Sequence, residues 1–122
     1  MTQDELQADL DGKVAVAIRA ARAAAGLNQQ DFADLMGVAK TTIARMETLE
    51  TKASAQFLLG AVYLFKTCGI ELDMHDYDNL IIRVSNQAIN NAVFQLENVN
   101  NRRSDRKVEA AVSSIPQKAN SA

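Results

Sequence analysis

Residues Leu27 to Glu47 read LNQQDFADLMGVAKTTIARME, and the order of residue types within them decides the fold. Asn28 is a good helix N-cap, and Asp31 suits the positive end of a helix that starts beside it. Gly37 supplies a residue tolerant of positive φ where the chain must turn sharply. Ala33, ahead of that glycine, is small enough for two helices to cross closely. Ile43, beyond it, is a branched apolar anchor on the second helix. The stretch therefore predicts two short helices, the second from Ala39 or Lys40 to about Leu49, meeting at a steep angle.

This is the helix-turn-helix pattern, in which the second helix lies in the DNA major groove. Val38, Ile43 and Met46 form its inward apolar set. Lys40, Thr41, Ala44, Arg45 and Thr48 fall on the opposite face at helical spacing. The N-terminal residues of such a helix enter deepest, so Lys40 and Thr41 are candidates for base contact. Lysine donates to guanine O6 or N7, and a threonine methyl meets a thymine methyl. Arg45, one turn on, reaches a base or a phosphate, and Thr42 is placed to hydrogen-bond the backbone. Gln29, at the start of the preceding helix, is positioned with free backbone N–H groups to hold a phosphate.

The surrounding composition agrees with a small globular chain. Of 122 residues, 48% are hydrophobic, which allows one core plus an appendage. No apolar run approaches the roughly 18–20 residues of a membrane span. The opening MTQDELQADLDG is acidic and polar, unlike a signal or transit peptide. A single cysteine, Cys68, permits no intrachain disulfide, which fits the cytoplasm. The net charge of −2 is unevenly spread. Residues 1–11 hold Asp4, Glu5, Asp9 and Asp11 with no base, and residues 69–82 hold Glu71, Asp73, Asp76 and Asp78 with no base. The segment between them, 12–68, carries seven bases against four acids. The positive charge coincides with the candidate DNA-facing segment, and its small excess shifts the weight of specificity onto base contacts.

Outward from the motif, Thr2 to Glu5 has the form of a capping box. Leu6, Leu10, Val14, Ile18 and Ala21 then recur at helical spacing, with Gly12 read as the divide between a loose leader and the first helix proper. After a polar connector, a helix starts near Ser54 and runs to Gly69, with Phe57, Leu58, Ala61, Val62, Leu64, Phe65 and Cys68 as core. The period then becomes two. Ile70, Leu72 and Met74 alternate with acids, and Leu80, Ile82 and Val84 alternate around Ile81 and Arg83, a β-hairpin about the turn formers His75 to Asn79. Helical spacing returns in Ala88, Ile89, Ala92, Val93, Leu96 and Val99. From Asn101 the chain loses clear periodicity, though RKVEAAV (106–112) could extend the helix, and the tail 101–122 is expected to be mostly disordered. The organisation read from this is an acidic leader 1–11, a DNA-binding domain 12–69, a hairpin and helix 70–100 for dimerisation, and a tail 101–122.

Residues Ile18 to Leu72 resemble the Cro/lambda-repressor type of helix-turn-helix domain, the XRE family. The matching residues are Arg22 to Leu27 (RAAAGL), Gln29, Phe32, Ala33, Gly37, Val38, Ile43, Met46 and Glu47. The resemblance implies a mainly α fold, a lambda-repressor-like helical bundle, here followed by a short β-hairpin and a C-terminal amphipathic helix. It also implies a dimer on an inverted-repeat, palindromic operator in double-stranded DNA, and an ion pair from Arg22 to Glu47. Family members commonly carry serine or threonine where Ala39 stands, so the second helix of the motif lacks its usual cap. CGIELDMHDYDNLIIRVS, residues 68–85, is similar to a subset of small regulators in which a helix ends in Gly-Val/Ile-Glu before an acidic turn and a strand.

Other chemistries find little support. Cys68, His75, Asp76 and Asp78 are near in sequence, but Cys68 belongs to an apolar helix face and the acids suit a turn. DMHDYD lacks the central glycine and terminal glutamate of a calcium loop. No nucleophile–base pair or Gly-rich phosphate loop is present, so neither an enzyme nor a cofactor is expected. The reading is a cytoplasmic regulator, a dimeric repressor of phage or mobile-element type, controlled by its concentration or by a protein antagonist. The alternatives are an antitoxin-type autoregulator that binds a toxin through its C-terminal half, and an interaction protein that keeps the fold without binding DNA.

Overall fold

A computed structural model describes the backbone of residues 1–111 and the side chains of residues 1–98. The elements in chain order are α1 (Gln3–Ala24), α2 (Gln29–Met36), α3 (Lys40–Glu47), α4 (Ala55–Thr67), β1 (Ile70–Asp73), β2 (Ile81–Val84) and α5 (Asn86–Ala111). No helix among the described residues is long and apolar enough to cross a membrane.

Capping chemistry sets the starts of α1, α2 and α4. Thr2, Asn28 and Ser54 each accept, through a side-chain oxygen, the backbone N–H three residues on. Gly37 ends α2 in the left-handed region at φ 71°, and Gly69 makes the turn from α4 into β1 at φ 84°. The end of α3 departs from this rule. Leu49 adopts φ 66° there, a leucine doing a glycine's work, so α3 stops at Glu47 rather than near Leu49.

Two further expectations are corrected. Gly12 does not divide a leader from a helix, since α1 runs unbroken through it. Both sides of the glycine are tied down: Asp11 lies 3.6 Å from Lys52, and Lys13 Nζ donates to the carbonyls of Asp76 and Tyr77. The second concerns residues 101–111, placed in the mostly disordered tail with RKVEAAV as a possible extension of the helix. They continue α5 as helix. The tail expectation for 112–122 lies outside the described residues.

The core is Ile18, Ala21, Phe32, Ala33, Ile43, Ala61, Phe65, Ile70 and Ala88, drawn from all five helices and β1. The rings of Phe32 and Phe65 stack at 5.2 Å. The two strands pair antiparallel, with Ile70 opposite Val84 and Leu72 opposite Ile82. That apolar side packs into the same core, which supplies the third surface a two-stranded ribbon needs. Its outer side pairs Glu71 with Arg83. The hairpin turn rests on α1, where the Tyr77 hydroxyl donates to Asp9 and Lys13 Nζ sits over the Tyr77 ring.

Candidate nucleic-acid interface

The crossing of α2 and α3 is built as the small residue requires. Ala33 is fully buried at the contact, and the Val38 N–H closes the turn on the Ala33 carbonyl at 3.0 Å. Ile43 and Met46 carry the inner face of α3 into the core, with Val38 packed beside them. Burial of that face leaves the other to solvent.

On the outer face, Lys40, Thr41, Arg45 and Thr48 are exposed, while Thr42 and Ala44 are half-buried. Among the described residues, neither Lys40 nor Arg45 takes part in an ion pair. Both cations are thus available to an incoming polyanion without first breaking a contact. The Thr48 hydroxyl is already spent. It donates to the Ala44 carbonyl at 2.9 Å and lies 3.0 Å from Glu50 Oε2, fastening the C-terminal turn of α3. Ala39, the N-cap of α3, makes no side-chain capping bond, and neither Thr41 nor Thr42 takes over that role.

Behind this face, Arg22 and Glu47 form the pair that the resemblance implied. Arg22 Nε donates to Glu47 Oε2 at 2.7 Å and Nη2 to Oε1 at 3.0 Å, while Nη1 donates to the Leu27 carbonyl at 2.9 Å. One guanidinium therefore ties α1, the α1–α2 turn and α3 into one body. Burial of the Glu47 carboxyl, whose side chain is 4% exposed, works to raise its pKa. The hydrogen bonds from Arg22 and Gln29, with the charges of Arg22 and Arg19, outweigh that and hold the acid below its ordinary value.

Gln29 belongs to the same network, its Nε2 donating to Glu47 Oε1 at 3.2 Å. Its side chain is therefore oriented by the Arg22–Glu47 pair rather than free at the surface. An open groove lies beside it, lined by Arg22, Asn28, Gln29, Gln30 and Lys40. The first residues of α2 and the first residue of α3 meet there, so two positive helix ends and the Lys40 ammonium face one space. That arrangement suits a phosphate. Asn28 and Gln30 were missed as neighbours of this groove. Their placement depends on how α3 folds back over the start of α2, which residue spacing within either helix does not reveal.

Residues 18–60 match the family model described as helix-turn-helix, a family of DNA-binding regulators rather than enzymes. No curated protein and no solved structure matched the chain. The matched span begins at the buried Ile18 of α1 and ends within α4, so it takes in the Arg22–Glu47 clamp, the crossing at Ala33 and the whole exposed face of α3. Residues 18–60 thus carry a helix-turn-helix domain of the XRE type, which supports DNA binding by this part of the chain.

Proposed function

We propose that this regulator is a cytoplasmic repressor of phage or mobile-element type, acting as a dimer at an inverted-repeat operator. The observation that carries the reading is the outer face of α3. It presents two unpaired cations and a threonine, while the inner face and Glu47 anchor the helix rigidly behind it. Lys40 and Thr41 enter the major groove first and read base edges, and Arg45 reads a base or grips a phosphate one turn further on. Gln29, pre-oriented by Glu47, and the N-terminus of α2 hold a backbone phosphate. Ala44 allows close approach, Thr42 lies at the flank, and Thr48 holds the end of the helix in shape. One such helix reads only a few base pairs, so useful specificity requires two copies about a helical turn apart.

Selection of bound duplexes from a random pool tests this reading. An enriched inverted repeat with half-sites about one helical turn apart is the expected result. On that sequence Arg45→Ala weakens specific binding by about 1–3 kcal/mol while leaving the fold intact. No enrichment by folded protein, or an Arg45→Ala variant that binds as well as the parent, overturns it.

A further inference from the structure

Between the N-terminal half of α1 and the link from α3 to α4 lies a cavity of about 220 Å³. Ala15 and Met46, both buried, form its floor, and Val14 and Ala53 stand half-buried at its sides. Ala8 and Ala15 make the room, because alanine at i and i+7 keeps this face of α1 clear of larger side chains. An apolar cavity of about 150 Å³ holds benzene. The larger space here takes a ring together with a short arm.

The rim decides what that arm carries. Asp11 and Lys52 stand there, their side chains 25% and 69% exposed, with Asp11 Oδ2 3.6 Å from Lys52 Nζ. Asp11 Oδ1 accepts from Gln7 Nε2 at 3.1 Å, whereas Oδ2 takes no hydrogen bond among the described residues. The acid is the anchored, half-covered member of the pair, and the lysine is the loose, solvated one. An ammonium carried into the cavity meets an open carboxylate oxygen, and Lys52 returns to water at little cost. A carboxylate carried in would have to displace Asp11 instead. Asp4 shares a helical face with Ala8, Asp11 and Ala15, at i, i+4, i+7 and i+11, and adds to the negative field.

Leu49 supplies a second, independent observation. It lines the same cavity while holding φ 66°, a conformation that glycine would adopt without strain. Glycine would leave the cavity without that wall. Leu49 sits in the turn that ends α3, and Met46 belongs to α3 itself. A molecule in this space therefore touches the end of the helix whose outer face carries Lys40 and Arg45.

We propose that this cavity is an effector site for a small amphipathic amine, an apolar ring whose short arm ends in an ammonium that pairs with Asp11. The site stands apart from the repressor reading, and only its effect on DNA rests on that reading. A filled cavity packs Met46 and Leu49 from behind. It restrains the end of α3 in the conformation seen here and so favours the DNA-bound state of that helix.

Titration of the full chain with 2-phenylethylamine, followed by amide NMR and calorimetry, tests the site without DNA. Saturable one-to-one binding is expected, with Kd below about 1 mM and shifts centred on Ala15, Met46, Leu49 and Ala53. Phenylacetate, with the same ring and the opposite charge, is expected to bind at least about tenfold more weakly. Asp11→Asn is expected to lose at least about tenfold for the amine, and Lys52→Ala to gain about twofold to fivefold. Ala8→Phe, at an exposed position, fills the mouth and removes binding, with the parent's circular dichroism retained. If Asp11→Asn alters the dichroism, Lys52→Ala and phenylacetate decide the same point. No saturation by about 10 mM amine, equal binding of phenylacetate, or undiminished binding by folded Asp11→Asn overturns the proposal. With an operator in hand, saturating amine is expected to raise the parent's affinity at least about threefold and that of Ala8→Phe not at all. Unchanged operator affinity overturns the effector role. Amine bound in this cavity by a protein that binds no DNA upholds the site and removes the repressor reading instead.

Discussion

Glu47 shows how one residue is held at a stake. Its carboxylate is almost fully covered, yet three donors from Arg22 and Gln29 satisfy it, so its charge is better placed folded than unfolded. A carboxyl held below its ordinary value of 4.5 adds stability above that pH, and the contribution is lost as pH falls through the lower, folded value. Glu47→Gln should therefore unfold at lower urea near neutral pH, by about 1–3 kcal/mol, and lose less further stability than the parent on acidification below 4.5. Chemical denaturation at pH 7 and at pH 3.5 checks both halves. The Arg22–Glu47 pair was legible only through the resemblance. Gln29 was legible as a helix-start residue, but its bond to Glu47 joins positions 18 apart and arises only when α3 lies across the start of α2.

At the scale of elements, the helix starts were legible because capping is local: Thr2, Asn28 and Ser54 carry the hydrogen bond that their residue types advertise. Gly12 misled because a lone glycine costs a helix interior only about 1 kcal/mol, too little to break a helix that is capped at Thr2 and buried through Ala17, Ile18 and Ala21. The end of α3 was misplaced because its left-handed residue is Leu49, with no glycine to mark it. The uncapped start of α3 leads to a prediction. Ala39→Ser should accept an N–H from the first turn and stabilise the domain by about 0.5–2 kcal/mol. Thermal melts measure that gain, and half-site affinity should change little because the cap lies outside the reading face.

For the whole molecule, charge distribution outweighs net charge. The acidic segments 1–11 and 69–82 are brought together where Asp9 meets Tyr77 and Lys13 meets the hairpin turn, so the basic segment 12–68 is left to face a polyanion. Few cations are available there, and Arg22 is committed to Glu47. If the proposed dimeric repressor reading holds, log affinity for the operator falls with log salt at a slope shallower than about −5, the value for about six phosphate contacts, as titration at several salt concentrations will show. A slope near −8 or steeper would mean that cations outside 12–68 grip the backbone. The clasp between Lys13, Asp9 and the Tyr77 turn also bears on how the chain reaches its fold. It joins residues more than 60 apart in sequence, so the hairpin turn gains its support only after the opening turns of α1 are in place, while the strands themselves are held by the core. Those turns act as a buttress: without them the amides of the turn would exchange with solvent faster than those of the strands, and a protease would find its first foothold there.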